Sequence, residues 1–374
     1  MQIKPDSEGP IGNSGLRINL LGKPEVQLAD FFEELGEKPF RARQVLQWVH
    51  QRNVSRFDDM TDLSKQLRAH LCEVASIELP EAISEKKSAD GTVKWLFSAG
   101  GDQAVETVFI PEKTRGTLCI SSQVGCALDC TFCATGAQGF NRNLEVDEII
   151  GQVTYANRQL PPRPNGARPV TNVVFMGMGE PLANYRNLIP SLQLLLSDYA
   201  YGLSRRRITV STSGIVPHID RLSDDCNVSL AVSLHAASDT LRNELVPINK
   251  IHPIAELLAA CWRYAEKRAN RFITFEYVML RDINDTARDA DDLIQLLQDR
   301  PAKVNLIPFN PFDGNQYKCS REQTISDFQR RLRERGLVTT IRKTRGADIN
   351  AACGQLAGKV RDRVRSRLSE KVRN

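Results

Sequence analysis

The stretch TLCISSQVGCALDCTFC, residues 117–133, decides the fold class of this chain. Its first part has the apolar and β-branched character of a short buried strand, and the cysteines follow where that strand ends. The spacing C-x3-C-x2-C places Cys126, Cys130 and Cys133 on one loop. A reactive loop that directly follows a strand is typical of β/α barrels, whose active sites lie at the carboxyl ends of the strands.

The rest of the chain repeats the same order, a strand and then an amphipathic helix. We predict strands over residues 117–121, 172–176, 208–211, 228–233, 273–279, 304–307 and 338–342. The predicted helices cover residues 146–159, 188–196, 218–222, 254–267, 286–297 and 326–335. Six or more such units favour an α/β fold built as a partial (β/α)6-type TIM barrel, and a doubly wound parallel sheet is the alternative.

The residues before this barrel have a different pattern. Helical spacing predicts helices over residues 28–36, 39–54 and 63–74, with Asp62 as the cap of the third. Two alternating runs, 92–97 and 105–110, flank a GGD turn and predict a hairpin. The predicted units are a small N-terminal helical accessory domain (1–90), a hairpin linker (91–114), the partial barrel (115–358) and a basic tail (359–374).

Composition excludes several classes of protein. Of 374 residues, 41% are hydrophobic and 25% are charged, which supports a real core and is unlike a disordered chain. We find neither a secretory leader nor an apolar run of about 20 residues, and we expect a cytoplasmic protein without membrane contact. The net charge is +5, and residues 359–374 alone carry seven Lys or Arg against two acids. Such a basic end indicates a polyanion partner, or alternatively a solvated helix end.

Nine cysteines, an odd number in a long chain, disfavour a secreted disulfide scaffold. Three thiolates on one loop are soft ligands that suit zinc or an iron–sulfur cluster. A structural zinc site normally has a fourth Cys or His ligand, and none lies nearby in the sequence. We therefore expect Cys126, Cys130 and Cys133 to hold a [4Fe–4S] cluster with one iron left open. Zinc and unliganded core cysteines are the alternatives.

Longer motifs carry a resemblance to a known family. They are KPFR (38–41), QVGC (123–126), GFNRNL (139–144), FMGMGEPL (175–182), SLHA (233–236) and RKTRG (342–346). The cysteine spacing resembles the radical S-adenosylmethionine signature. The whole set resembles the RlmN family, which are dual-specificity RNA methyltransferases acting on adenine C2. The resemblance extends from about residue 18 to the tail, and no motif position departs from it.

That resemblance implies a specific reaction. The cofactors would be a [4Fe–4S] cluster and S-adenosylmethionine, with two molecules of S-adenosylmethionine used per turnover. One would methylate a cysteine, and the other would supply the radical that activates this methyl group for addition to C2. The implied substrates are adenosine 2503 of 23S rRNA and adenosine 37 of tRNAs. The implied partners are these RNAs and a reductase, flavodoxin-like or similar, and we expect a monomer.

The resemblance also implies roles for single residues. Cys353 would carry the methyl group, Cys119 would be the resolving thiol, and Glu106 would be the proton acceptor. Taken alone, Cys353 lies among small residues with basic residues before it, and Cys119 reads as an ordinary buried strand residue. Alternation places Glu106 on an apolar strand face, where its pKa would be raised, unless it reaches solvent at an edge. The residues implied to contact S-adenosylmethionine are Gly179, Glu180, Ser211, Ser233, Leu234, His235 and Asn310.

Three other interpretations remain open. The first is the sister family that methylates adenine C8 with the same cluster and the same two cysteines. The second is a non-catalytic RNA-binding protein with a structural zinc. The third is a radical enzyme for a small molecule or peptide, against which Cys353 and the basic tail argue.

Basic segments offer places for RNA to dock. They are residues 38–43, 205–207 and 342–345 and the tail, although each alone is also typical of a solvated face. An adenine that is to be methylated must be unstacked into a pocket, which favours loops of folded RNA as substrates.

Overall fold

A computed structural model describes residues 17–164, 166–267, 272–360 and 362 of the chain. Within them the helices are α1 (Glu25–Glu34), α2 (Arg41–Leu46), α3 (Lys65–Val74), α4 (Ala134–Ala137), α5 (Val146–Gln159), α6 (Tyr185–Leu196), α7 (Val216–Asp225), α8 (Asp239–Leu245), α9 (Ile254–Glu266), α10 (Ala287–Leu297) and α11 (Glu322–Glu334). The strands are β1 (Ile18–Asn19), β2 (Ala75–Ser76), β3 (Ala82–Lys87), β4 (Val93–Ser98), β5 (Ala104–Pro111), β6 (Gly116–Cys119), β7 (Gln123–Gly125), β8 (Phe140–Asn143), β9 (Asn172–Phe175), β10 (Ile208–Thr212), β11 (Ser229–Ser233), β12 (Ile273–Met279), β13 (Ala302–Pro308) and β14 (Val338–Ile341). Most of the predicted basic tail, residues 361 and 363–374, lies outside the described residues.

The N-terminal region is helical because apolar residues recur at helical spacing and face inward. In α1 the side chains of Leu28 and Phe32 are fully buried. Helix α3 begins after Ser64, whose Oγ accepts a hydrogen bond from the backbone N–H of Leu67 at 3.1 Å. The prediction that Asp62 caps this helix is wrong, because Asp62 instead accepts a bond from the indole Nε1 of Trp48 at 2.5 Å.

One ten-stranded sheet organises the rest of the described chain. Its strand order is β14-β13-β12-β11-β10-β9-β6-β5-β4-β3. From β6 to β14 neighbouring strands are parallel, and β3 to β6 form an antiparallel extension. Each new parallel strand joins the same edge, whereas a doubly wound sheet reverses direction at a switch point. The sheet is not closed, so the prediction of a partial barrel is confirmed.

The strand-and-helix prediction agrees closely with the observed barrel. Strand β12 and helix α5 have the predicted bounds, since both carry long, regular apolar patterns. The sequence prediction missed helix α8 and the short antiparallel pair β7–β8. These elements are too short to show a periodic pattern of apolar residues. Strands β7 and β8 also flank the cysteine loop, where local strand pairing rather than burial determines the backbone conformation.

The segment after β14, residues 343–360, crosses the open side of the barrel, and we call it the strap. It runs back over β4 and β5 rather than adding another helix. The backbone N–H of Gly346 donates to Asp90 Oδ2 at 3.2 Å. At the other end Ala104 and Lys359 exchange backbone hydrogen bonds of 2.8 and 2.9 Å. Cys353 lies in the middle of this strap.

In the part of the chain that the structure describes, the helices are too short or too polar to cross a membrane.

Candidate active site

A cavity of about 140 Å³ opens where the parallel strands end. Most residues that the sequence analysis singled out line it. They are Cys126, Cys130, Cys133, Gly179, Glu180, Ser211, Ser233, His235, Asn310 and Cys353. Side chains from loops far apart in sequence meet here because the carboxyl ends of parallel strands share one rim.

The cysteine loop is shaped by backbone contacts. Gly125 has φ of +79°, and the carbonyl of Gly139 occupies the space that a Cβ would need. Cys126 N–H then donates to that same carbonyl at 2.7 Å. Farther along, Cys133 N–H donates to Cys130 O at 3.1 Å. The loop therefore has a defined path that keeps its three thiols at the cavity.

The three thiols fit a [4Fe–4S] cluster. Burial raises the pKa of Cys126 to about 12 and the pKa of Cys130 well above its usual value. Burial likewise raises the pKa of Cys133. The charge of Cys133 opposes the ionisation of both Cys126 and Cys130. All three thiols line the same cavity. Ligand binding must displace the thiol protons.

The spacing of these thiols also bears on the kind of site. No set of three or more His, Cys, Asp or Glu side chains in the described residues converges closely enough to hold one metal ion. A cubane cluster binds each thiolate to a different iron, so its ligands do not need to converge on one point. The soft donor set and the room beside it suit such a cluster.

Glu180 provides a buried carboxylate beside this loop. Its side chain accepts backbone hydrogen bonds from Ser213 at 2.8 Å and from Leu182 at 3.1 Å. Burial raises the pKa of Glu180 to about 7, and these hydrogen bonds oppose that rise. Gly179, with φ of +98°, leaves no room for a side chain against Gln123. The arrangement suits an ammonium group, which would pair with the carboxylate.

The other predicted cofactor contacts occupy the ends of neighbouring strands. Ser211 and Ser233 lie in β10 and β11 and line the cavity. His235 is buried, which lowers its pKa to about 3, and its Nδ1 accepts a hydrogen bond from Val278 N–H at 3.0 Å. The neutral ring therefore carries its proton on Nε2. Leu234 is fully buried in the core and does not line the cavity.

Cys353, Cys119 and Arg342 form a cluster at the side of the cavity. Burial raises the pKa of Cys119 to about 12, nearby Cys353 raises it further, and Arg342 opposes the rise. The pKa of Arg342 is itself raised, first by Cys353 and then by Glu276. All nine cysteines of the chain are free thiols in this structure. The two thiols that the resemblance pairs are thus neighbours around one guanidinium.

Glu106 is buried in strand β5, but it does not lie among apolar side chains only. Lys94 Nζ lies 2.7 Å from Glu106 Oε1, and both side chains are nearly inaccessible to solvent. Lys94 is opposite Val108 in the β4–β5 register, so it meets Glu106 diagonally on the same face. The expectation of an apolar strand face is corrected here, because an ion pair replaces it.

The sequence analysis missed Lys94 and Glu276. Glu276 lines the cavity, and Asn305 Nδ2 donates to its Oε2 at 2.8 Å. A signal was present for both residues, since each is a single charge inside an apolar strand (VKWLF and ITFEYVM). Charged residues at such positions are rare unless they are paired or functional.

A second, smaller cavity adjoins the first. Ile307, Asn310, Arg342 and Cys353 line both cavities. The second is also bordered by Ile110 and Pro308 and by strap residues, which include Lys343, Thr344 and Arg345. Positive charge is therefore concentrated on the side of Cys353 away from the cysteine loop.

Comparisons with known proteins agree with this arrangement. Residues 18–77 match the family described as ribosomal RNA large subunit methyltransferase N-terminal domain, and residues 120–297 match the radical SAM superfamily. The crystal structure of a radical SAM methyltransferase from Sphaerobacter thermophilus is 41% identical in sequence. That match covers 91% of this chain and 99% of the other, with a TM-score of 0.84.

More distant structures are also similar. A domain of pyruvate-formate lyase-activating enzyme from Bacteroides vulgatus shares 20% identity over 46% of this chain and 99% of that chain, with a TM-score of 0.37. SuiB from Streptococcus suis bound to S-adenosylmethionine shares 12% identity over 60% of this chain and 50% of that chain, with a TM-score of 0.43. The first match and the two sequence families show the family of this chain. The chain therefore belongs to the RlmN family of radical S-adenosylmethionine methyltransferases.

Proposed function

We propose that this protein methylates C2 of adenosine in RNA, at position 2503 of 23S rRNA and position 37 of tRNAs, through a methyl group carried on Cys353. The observation that carries the proposal is the position of Cys353 between two cavities. One cavity contains the cluster thiols and Glu180, and the other is bordered by basic strap residues. A carrier thiol has to reach both a methyl donor and an RNA base.

The proposed cofactors are a [4Fe–4S] cluster on Cys126, Cys130 and Cys133 and S-adenosylmethionine beside it. When bound, they supply methyl groups and a carbon radical that activates the methyl group on sulfur. The residues proposed to bind S-adenosylmethionine are Gly179, Glu180, Ser211, Ser233, His235 and Asn310, with Leu234 contributing its backbone only, because its side chain is buried in the core. The Glu180 carboxylate would bind the ammonium group, and His235 would donate from Nε2.

Cys353 and Cys119 divide the thiol chemistry. A thiol accepts a methyl group as its thiolate, and Arg342 lines the same two cavities as Cys353. Cys119 is buried nearby and would resolve the adduct by forming a disulfide with Cys353, which a reductant must then open. Glu106 is the proposed acceptor for the proton that leaves C2. Its carboxylate lies in β5, next to β6, the strand that ends in Cys119.

The RNA would approach from the strap side. Lys343 and Arg345 border the second cavity and suit the phosphates that flank a flipped adenosine. Residues 205–207 add an exposed basic turn. Residues 1–90 are the proposed accessory domain for RNA, and the basic tail adds charge. We further propose that the protein acts as a cytoplasmic monomer and receives electrons from a flavodoxin-like or similar reductase.

Product analysis tests this proposal. The full chain would be reconstituted anaerobically with iron and sulfide and given S-adenosylmethionine, reductant and either rRNA or tRNA. Digested nucleosides would be compared by mass spectrometry with 2- and 8-methyladenosine standards. The proposal expects 2-methyladenosine. Formation of 8-methyladenosine would contradict the C2 assignment, and cleavage of S-adenosylmethionine without any methyladenosine would contradict the substrate assignment.

A further inference from the structure

We propose that the buried Lys94–Glu106 ion pair clasps the strap on both sides of Cys353, which makes Lys94 a positioning residue for that thiol. The inference rests on the proposed function in taking Cys353 as the methyl carrier. It concerns two neighbouring strands, β4 and β5, which lie outside the parallel barrel. Lys94 lies outside all the motifs that carry the family resemblance.

Three contacts define the clasp. Lys94 Nζ lies 2.7 Å from Glu106 Oε1 and also donates to the carbonyl of Asn350 at 2.9 Å. The other carboxylate oxygen, Glu106 Oε2, accepts the backbone N–H of Ala357 at 3.0 Å. Asn350 precedes Cys353 in the strap and Ala357 follows it. One ion pair therefore holds the strap at both ends of the segment that carries the reactive thiol.

The burial of the pair shows that it is not an ordinary surface ion pair. The side chains of Lys94 and Glu106 are only 9% and 11% exposed. A buried lysine costs free energy unless its charge is paired and its donors are satisfied. By contrast Lys86, opposite Lys94 in the β3–β4 register, is exposed. Lys94 therefore contacts the strap, whereas Lys86 on the edge strand β3 stays in water.

The strap is also held from the side of the cysteine loop. Asn310 Nδ2 donates to the carbonyl of Cys353 at 3.1 Å. Ala134 N–H, directly after the last cluster cysteine, donates to Gly354 O at 2.9 Å. The clasp bonds the strap to β4 and β5, and these two bonds hold it to Asn310 and to the cysteine loop. Together they set where the Cys353 thiol lies between the two cavities.

The clasp also engages the proposed proton acceptor. Both carboxylate oxygens of Glu106 accept hydrogen bonds, one from Lys94 and one from the strap backbone. Lys94 therefore fixes the orientation of the Glu106 carboxylate as well as the path of the strap. Loss of Lys94 should disturb the two groups together.

The test compares variants of the full chain by two readouts that need neither cofactor turnover nor RNA. One is hydrogen exchange of strap peptides, and the other is the rate at which iodoacetamide alkylates Cys353, measured on the peptide. Lys94→Gln should raise both the rate of hydrogen exchange in the strap and the rate of Cys353 alkylation by about tenfold, because one buried charge-assisted contact is lost. Lys94→Arg, which keeps the charge, should restore most of the protection. Lys86→Gln removes a charge from the same hairpin at an exposed position and should change neither rate.

A second variant keeps the test decisive if Lys94→Gln fails to fold. The double variant Lys94→Gln/Glu106→Gln removes both charges, so it leaves no unpaired buried ion. It should fold and should still show the faster strap exchange and alkylation. Folded variants with wild-type exchange and alkylation would overturn the proposal. Equal loosening of the strap and of helices α10 and α11 would also overturn it, because the effect would then be global.

Kinetics separate positioning from a merely structural role. Lys94→Gln should lower kcat for RNA methylation while leaving KM for S-adenosylmethionine nearly unchanged, since Glu180 and the cysteine loop are untouched. A rise in KM with unchanged kcat would contradict the clasp. If the exchange and alkylation results hold but no methylated RNA forms in the wild type, the clasp stands and the proposed substrate fails.

Discussion

Cys353 is the residue on which the proposed chemistry depends most. We expect Cys353→Ala to lower RNA methylation by at least about a thousandfold, because the carrier of the methyl group is removed. The cluster thiols lie on a separate loop, so iron and sulfide content should stay at the wild-type level. Cys319→Ala is a matched control, since Cys319 does not line the main cavity. Substantial methylation by Cys353→Ala would contradict the carrier role.

Glu180 carries a second prediction about a single side chain. Glu180→Gln keeps the size of the side chain but removes the buried charge that would bind the ammonium group. We expect affinity for S-adenosylmethionine, measured by calorimetry on the reconstituted protein, to fall by about tenfold or more. Glu112→Gln, which lies near the surface beside Arg115, should leave the affinity unchanged. Equal affinities for Glu180→Gln and wild type would contradict this contact.

The residues that line the cavity at the strand ends could be predicted from the sequence more readily than the hydrogen-bond partners of buried side chains. The rim of the cavity could be deduced because every parallel strand delivers its next residues to the same edge. Lys94 could not be paired with Asn350 from the sequence, because that contact depends on the path of the strap. The expected surroundings of Glu106 were wrong for the same reason.

Among the secondary-structure elements, helix α3 offers a test of N-terminal capping by a side chain. Ser64 Oγ satisfies the Leu67 N–H at the start of this helix. Ser64→Ala should therefore lower the free energy of unfolding by about 1 kcal/mol, measured by denaturant titration. Ser55→Ala, at an exposed position in the same region, should stay within about 0.5 kcal/mol of wild type. Equal stability of the two variants would show that Ser64 is not the cap.

Helices and strands were predicted more accurately when their pattern of apolar residues was longer. Helix α5 and strand β12 carry enough apolar repeats to fix both ends. The cap was predicted at Asp62, two residues before the observed cap Ser64, because Asp and Ser both fit the capping position and only the fold assigns Asp62 to Trp48. The strap has no periodic pattern of apolar residues, so its sequence does not predict that it crosses the barrel opening.

At the scale of the whole molecule, His50 connects the helical region to the barrel. Its Nδ1 lies 3.3 Å from the hydroxyl of Tyr201, and that hydroxyl lies 2.6 Å from Thr154 Oγ1 on α5. Burial lowers the pKa of His50 to about 3, and the charges of Arg168 and Arg158 lower it further. The folded protein therefore holds His50 neutral over a pH range in which an unfolded chain would protonate it.

This arrangement predicts a pH dependence of stability. Below about pH 6.5 the unfolded state binds a proton that native His50 does not, so the free energy of unfolding falls as pH drops toward 3. His50 contributes a slope of up to about 1.4 kcal/mol per pH unit. Denaturation of His50→Gln between pH 6 and pH 4 should show a shallower decline than wild type. His70→Gln, at an exposed position, should follow the wild-type curve, and an unchanged slope in His50→Gln would contradict the prediction.

The overall architecture could be predicted because strand and helix alternate regularly from the first barrel strand onward. Sequential alternation permits few topologies, and the order of β9 to β14 follows the simplest of them. The alternating pattern predicts the hairpin of β4 and β5, which pairs with β3 and β6 through strands that are close in the sequence. The path of the strap was beyond the sequence, because it depends on contacts such as that of Glu106 with Ala357, which lie 251 positions apart.

The most direct test of the central claim is to follow one methyl group from Cys353 to RNA. The protein would be loaded with S-adenosylmethionine carrying a deuterated methyl group, freed of excess cofactor, and then given RNA with unlabelled S-adenosylmethionine and reductant. We predict deuterium on the Cys353 peptide before RNA is added and in 2-methyladenosine after the first turnover. Unlabelled methyladenosine in that first turnover, with the label still on Cys353, would contradict it.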